Sequence, residues 1–370
     1  MIYLDNAAST KMSDDVISVM KYYLDAGLYG NPDSRHCVGF PLSNMVENAR
    51  RQVADAIGAD PECIYFTSGG TEGNTTVING FDSRGIVTSS VEHSSVYEAV
   101  NIRKPHKFIS VDRGGELNYD ELNDAIGFGT GLVSIMAVNN EVGTANDISR
   151  VVKMAHSKKA LAHIDYVQAF GQYPINVKEL NVDFLTISSH KVHGPQGVGA
   201  IYVKDKSTIV PLLAGSPTQG GGVRPGTKNV LGIIGFGEAC NHIAEAKVDP
   251  KLSNMFKSKL YEECVKYFGA EVYDIIQING KPNPKILNLT FRGVDAETLI
   301  LMLSSRGICV SAGSACHAGE TKPSRVLKAM GLSDEEAMSS IRVSFSSMNT
   351  ASDVETAATN IAACVKTIRG

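Results

Sequence analysis

Two hydroxyls, an imidazole and a lysine stand together in Thr186-Ile187-Ser188-Ser189-His190-Lys191-Val192-His193-Gly194-Pro195, at the end of an apolar run that starts at Val182. A strand that stops and presents Ser, His and Lys together can hold a phosphate and an amine-reactive carbonyl at once. Those are the two ends of pyridoxal 5'-phosphate (PLP), and Lys191 is then the lysine that forms the Schiff base. Asp165, in His163-Ile164-Asp165-Tyr166-Val167-Gln168, ends another apolar run. A carboxylate against the pyridine nitrogen keeps it protonated, so that the ring can accept carbanion electrons. The same aspartate also reads as a helix N-cap, the commoner use. One strand–helix–strand unit separates Asp165 from Lys191, so both can reach one pocket. Asn139-Asn140-Glu141 ends the preceding strand and offers an amide to the same place.

Other segments offer chemistry with an ordinary reading beside it. Ser68-Gly69-Gly70-Thr71 follows a short strand and opens a helix. Glycines admit a close anion and a helix N-terminus supplies free N–H groups, although a tight turn with a threonine cap fits too. No Walker loop is present there or at Gly222-Val223-Arg224-Pro225-Gly226-Thr227-Lys228. His93, in Glu92-His93-Ser94-Ser95, can stack on a ring and move protons or serve a structural role. His190 and His193 have metal-ligand spacing but lack a completing ligand set, so no metal is expected. Cys316 lies among small polar residues in Ser311-Ala312-Gly313-Ser314-Ala315-Cys316-His317-Ala318-Gly319-Glu320. Core cysteines sit in apolar surroundings, as Cys240 and Cys309 do by sequence. Cys316 is therefore a candidate nucleophile, or equally an incidental surface thiol. Arg342, on the apolar stretch Ile341–Phe345, suits a substrate carboxylate or a structural ion pair.

The elements that must position these groups alternate. Apolar residues Leu42, Met45, Val46, Ala49, Val53 and Ile57 recur at helical spacing. Strands are expected at Cys63–Phe66, Gly85–Thr88, Leu132–Val138, Leu161–Ile164, Phe184–Ile187 and Gly199–Val203. Alternation with helices implies a mostly parallel sheet covered on both faces, with ligands at the carboxyl ends of its strands. Past Lys247-Val248-Asp249-Pro250 the pattern becomes α+β: helices near Phe256–Phe268 and Ala296–Arg306, strands at Ile286–Phe291 and Ile341–Phe345. This places a large domain at 14–248 and a small one at 249–370, with residues 1–13 packing on the latter.

The chain has 370 residues, a formal charge of −4, 43% hydrophobic and 20% charged residues, an ordinary globular balance. A nucleic-acid binder would show a concentrated basic face. No apolar run approaches the roughly 18 residues of a membrane span, and no secretory leader is visible. Seven cysteines without a C-x-x-C pair fit a reducing cytoplasm rather than a disulfide framework.

Taken together these segments resemble the cysteine desulfurases of the NifS/IscS type, PLP enzymes of the class V aminotransferase-like group. The resemblance runs almost end to end, through Tyr3–Thr10, Gly30–His36, Phe66–Glu72, Glu92-His93, Val138–Gly143 and the Lys191 segment. It implies the aspartate-aminotransferase-like PLP-dependent transferase fold, with a seven-stranded sheet and a smaller α+β domain. It also implies roles. Lys191 would carry the cofactor and shuttle the Cα proton, Asp165 would pair with the pyridine nitrogen, and Gln168 would bond the ring oxygen. Gly70 and Thr71 with Ser188 and His190 would hold the phosphate, and Thr227 would reach in from the other subunit of a homodimer. His93 would stack on the ring, while Asn140 and Arg342 would fix the carboxylate of L-cysteine. Cys316 would take the substrate sulfur as a persulfide, release alanine, and pass the sulfur to an acceptor or iron–sulfur scaffold protein. The run Ser311–Cys316 followed by Pro323-Ser324 resembles the type that feeds iron–sulfur cluster assembly. Departures from the family pattern are Gly220 after Gln219, Lys228 after Thr227, Ser346-Ser347 where Gly-Arg is usual, and His317 after the cysteine. Selenocysteine lyase or a class V transaminase would use the same cofactor site; a sulfur-transfer scaffold without turnover is the reading from another class.

Overall fold

The computed structural model describes residues 1–81, 84–127, 129–312 and 322–370. Among the described residues twelve strands run in chain order: β1 (Ile2–Tyr3), β2 (Ile64–Thr67), β3 (Gly85–Ser89), β4 (His106–Ile109), β5 (Thr130–Met136), β6 (Leu161–Asp165), β7 (Phe184–Ser188), β8 (Gly199–Val203), β9 (Ile276–Asn279), β10 (Ile286–Phe291), β11 (Ile308–Cys309) and β12 (Ser340–Ser344). Seven form the main sheet in the order β2-β8-β7-β6-β5-β3-β4. Pairing is parallel from β7 through β4, and only β8 runs against its neighbours.

Side-chain alternation explains why both faces are covered. On β7, Phe184 packs on one side with Val77, Val96 and Val100. Leu185 and Ile187 pack on the other with Leu42, Val46, Val53 and Ile233. Helices Gly70–Gly80 and Ser94–Asn101 thus cover one face, and Gly39–Ile57 and Val230–Asn241 the other. Six of the sheet strands lie where the apolar runs place them. The seventh, β4, reads His-Lys-Phe-Ile at the sheet edge, partly exposed, and its single wholly buried residue leaves little apolar signal.

A second apolar cluster draws on Leu4 and on residues from Val248 to Val365. It lies between the antiparallel sheet β12-β10-β9 and helices Pro250–Phe268, Ala296–Ser305 and Ala351–Arg369. The N-terminal β1 pairs in parallel with β11, and Asp5 bridges to Ser344. Among the described residues no helix is long and apolar enough to cross a membrane.

Candidate active site

The carboxyl ends of β2, β3, β5, β6 and β7 converge on a cavity of about 250 Å³. Each contributes a residue singled out by sequence: Gly70 and Thr71 after β2, His93 after β3, Asn140 after β5, Asp165 and Gln168 from β6 onward, and Ser188, His190 and Lys191 from β7. Arg342 enters from β12, and Ala7 and Ala8 from the segment after β1.

Helix Gly70–Gly80 begins at Gly69, whose φ of 149° admits glycine, and its N-cap makes no side-chain hydrogen bond. Thr71 is therefore not a cap, and the first turn keeps its N–H groups for an outside acceptor. The helix lies close on the sheet because Gly73 has no side chain. A Cβ there would stand 2.7 Å from Thr186 Cγ2 and 2.9 Å from Ile201 Cγ2.

Lys191 closes a single 3-10 turn after β7. Its Nζ donates to the carbonyl oxygens of Ala7 (2.6 Å) and Ala8 (2.8 Å). Burial first, then the cations Lys285 and Arg342, pull its pKa down to about 7 against the opposing pull of Asp5 and Asp165. The amine is thus available in its neutral, nucleophilic form near neutral pH. Asp165, the last residue of β6, accepts from Asn74 Nδ2 at 2.7 Å and from the Val167 N–H at 3.0 Å.

His93 caps helix Ser94–Asn101, its Nδ1 accepting from the Ser95 N–H at 3.2 Å. That bond leaves the ring proton on Nε2 when the ring is neutral. Burial, with Lys191 and Arg325 against the pull of Asp165, lowers its pKa. Glu92 beside it is wholly buried, and desolvation raises its carboxyl to about 8. Its Oε1 accepts from Ser89 Oγ at 2.5 Å and from the Met136 N–H at 3.2 Å. His190, paired with Ser9 Oγ at 3.3 Å, falls to about 3 through burial and the neighbouring Lys191 and Lys285.

Arg342 serves the structural reading already: Nη2 pairs with Asp5 Oδ1 at 2.8 Å and Nη1 donates to the Asn140 carbonyl at 2.9 Å. Its Nε, however, is buried without a partner among the described residues. Ser188 Oγ, Gln168 Oε1 and Asn140 Oδ1 share that condition, although Gln168 Nε2 is fixed by the Ala7 carbonyl at 2.8 Å. With Asn74 Oδ1, five buried polar atoms on residues lining one cavity lack a partner among the described residues, which calls for a polar ligand. The donor set fits PLP: hydroxyl and helix N–H groups for a phosphate, an amine for an aldehyde, a carboxylate for a ring nitrogen.

Thr227 is elsewhere, exposed and lining a separate cavity of about 150 Å³ with Arg50, Ser68 and Lys228. Lys228 pairs with Asp33 and Arg224 with Glu72, the latter at 2.8 Å. Ser347 Oγ stands 3.5 Å from His193 Nε2, and Ser346 is buried. Cys316 and His317 lie outside the described residues. Cys240 is buried as expected, whereas Cys309 is only half-buried on the short β11. Sequence reasoning missed Asn74, three positions beyond Thr71 and so on the same helix face; that spacing could have found it. Lys285 and the acceptor carbonyls of Ala7 and Ala8 carry no comparable signal.

The family model for aminotransferase class-V matches residues 2–356. A cysteine desulfurase IscS of Methanosarcina thermophila is 37% identical over 96% of this chain and 89% of its own length. The mitochondrial cysteine desulfurase of Saccharomyces cerevisiae is 38% identical, over 100% of this chain and 76% of its own. Among solved structures, a NifS-like protein from Rickettsia africae ESF-5 superposes with a TM-score of 0.85 at 33% identity, covering 100% of this chain and 99% of that one. The protein SspA, solved in complex with cysteine, gives 0.78 at 30% identity over 93% of this chain and 99% of that one. Matches of this length and identity, on a fold whose strand ends carry the expected groups, place the chain in the class V aminotransferase family, among its cysteine desulfurases.

Proposed function

We propose that this chain is a PLP-dependent cysteine desulfurase that converts L-cysteine to L-alanine and passes the sulfur, as a persulfide, to an acceptor protein of iron–sulfur cluster assembly. One observation carries the reading: Lys191, Asp165, His93 and Ser188 line a single cavity in which Ser188 Oγ, Gln168 Oε1, Asn140 Oδ1 and Arg342 Nε lack partners among the described residues. Ser188, His190 and the first turn at Gly70-Thr71 would hold the phosphate. Lys191 would hold the aldehyde carbon, Asp165 the pyridine nitrogen, Gln168 the ring oxygen and His93 the ring face. When bound, the ring supplies a sink for the electron pair left at the substrate Cα.

The chain's own groups do the rest. Arg342 Nε and the Asn140 amide orient the substrate carboxylate, which the planar guanidinium suits. Lys191 Nζ, whose pKa of about 7 leaves part of it neutral at neutral pH, accepts the Cα proton and returns one to the product. Cys316 Sγ bonds the substrate sulfur as the Cβ–S bond breaks, so the thiol becomes a persulfide and the remaining carbon skeleton, once protonated, is alanine. A homodimer would bring Thr227 of one subunit to the phosphate of the other. The division into 14–248 and 1–13 with 249–370 is supported by the two apolar clusters, which meet near residue 248. Unpaired cysteines at all six described positions suit a cytoplasmic setting.

Purified protein is expected to be yellow and to release alanine from L-cysteine, with sulfide when a reductant is present. Cys316→Ser should keep the colour and lose sulfide release. A fully active Cys316→Ser enzyme would sink the assigned nucleophile; a colourless, inactive wild type would favour the scaffold reading.

A further inference from the structure

Behind the Lys191 turn lies a lysine that the reaction as described does not use. Lys285 is 2% exposed and stands just before β10. Its backbone is fixed on both sides: its N–H donates to Asn283 Oδ1 at 2.8 Å, and its carbonyl accepts from the Phe345 N–H at 2.8 Å. Asn283 is in turn tied to the Gly143 carbonyl at 2.8 Å. The side chain is therefore aimed, and its Nζ donates to the backbone carbonyl of Lys191 at 3.2 Å. Among the described residues it has no carboxylate partner. A buried ammonium without a counter-ion is costly, and Arg342 nearby adds a like charge.

We propose that Lys285 is a positioning residue for Lys191: its ammonium fixes the Lys191 carbonyl and, by like-charge repulsion, keeps the Lys191 amine neutral and able to attack a carbonyl carbon. The groups acting on that amine are Lys285 before β10, Arg342 on β12, Asp5 after β1 and Asp165 at the end of β6. The two carboxylates favour the charged amine and the two cations oppose it. Lys285 leads the cations, second only to burial. It also bears on His190 within that turn and on His193 just after it. Burial, then Arg342, lower its own pKa to about 8, which leaves it largely an ammonium near pH 7.

The inference rests on Lys191 being the amine that engages the cofactor, but its test does not need turnover. In the full-length chain freed of cofactor, the rate at which acetic anhydride modifies Lys191, followed by peptide mass spectrometry against pH, gives the amine's titration midpoint. Wild type should show it near 7. Lys285→Met removes both charge and hydrogen bond, whereas Lys285→Gln keeps a donor and removes only the charge. Neither leaves a buried charge behind, so the fold should tolerate both. The midpoint should rise by about one unit in each, slowing modification at neutral pH several-fold. In the loaded enzyme the acid limb of alanine formation should move the same way. An unchanged midpoint in Lys285→Gln would overturn the proposal, whatever Lys285→Met does. A packing role would lower activity at every pH and leave the midpoint in place. Failure of the desulfurase assay with a shifted midpoint would count against the function, not against Lys285.

Discussion

At the scale of single residues, the site is a collection of buried ionisable groups whose protonation the fold sets. Glu92 is the case with a clear thermodynamic consequence. Its carboxyl titrates near 8 in the fold and near 4.5 unfolded. Between those values the folded state keeps a proton that the unfolded state releases. Its contribution to stability is therefore complete below about 4.5 and is lost as pH rises to about 8. His163 and His190, both lowered to about 3, act in the opposite sense between about 3 and 6.5. The lysines Lys191 and Lys285 raise stability only above about 7. Comparison with Glu92→Gln cancels these common contributions. The difference in Tm between wild type and Glu92→Gln, measured without cofactor, should shift against wild type as pH goes from 4.5 to 8. A difference independent of pH would show that the carboxyl is not protonated. Glu92 and Lys285 show the limit of sequence reading at this scale. Lys191, Asp165 and His93 are legible because their side-chain types match a reaction at strand ends. The protonation of Glu92 and the aim of Lys285 come from burial, which no local pattern of residues announces.

At the scale of elements, helix Gly70–Gly80 and its contact with β7 and β8 decide whether an anion can be held at all. Gly73→Ala would drive a methyl group into Thr186 and Ile201. The helix must then lift, at a cost of about 1–3 kcal/mol, and carry the Gly70-Thr71 turn with it. Thermal unfolding should report the loss, and equilibrium dialysis should show weaker retention of the cofactor. Normal retention would mean that the sheet yields instead of the helix. Elements of this length were readable from the chain: β8 and β10 fall at the expected residues, and the apolar face of Gly39–Ile57 is the one buried. The two-residue pairing of β1 with β11 is too short for any periodicity. β9, with only its end residues buried, resembles a loop in composition.

At the scale of the whole molecule, Arg342 joins three distant stretches: Asp5, Asn140 and, through backbone hydrogen bonds with Ser311 of 2.6 and 3.2 Å, the approach to residues 313–321. Arg342→Lys cannot supply both existing contacts and still offer a free N–H in the guanidinium plane. The KM for L-cysteine should rise about tenfold or more, the worth of a charged hydrogen bond, with a smaller change in kcat. A KM equal to that of wild type would leave Arg342 as a structural ion pair alone. The segment Tyr3–Ala8 has a comparable reach. Its Ala7 and Ala8 carbonyls hold the Lys191 amine across more than 180 residues, and Asp5 meets Arg342 across 337. Such contacts close loops of about half the chain or more, the slowest kind to form. The segment Tyr3–Ala8 is thus made long before the partners it must find. A nascent chain has no finished seat for a cofactor until β12 has been made, so the reactive amine gains its full surroundings only after both larger sheets exist.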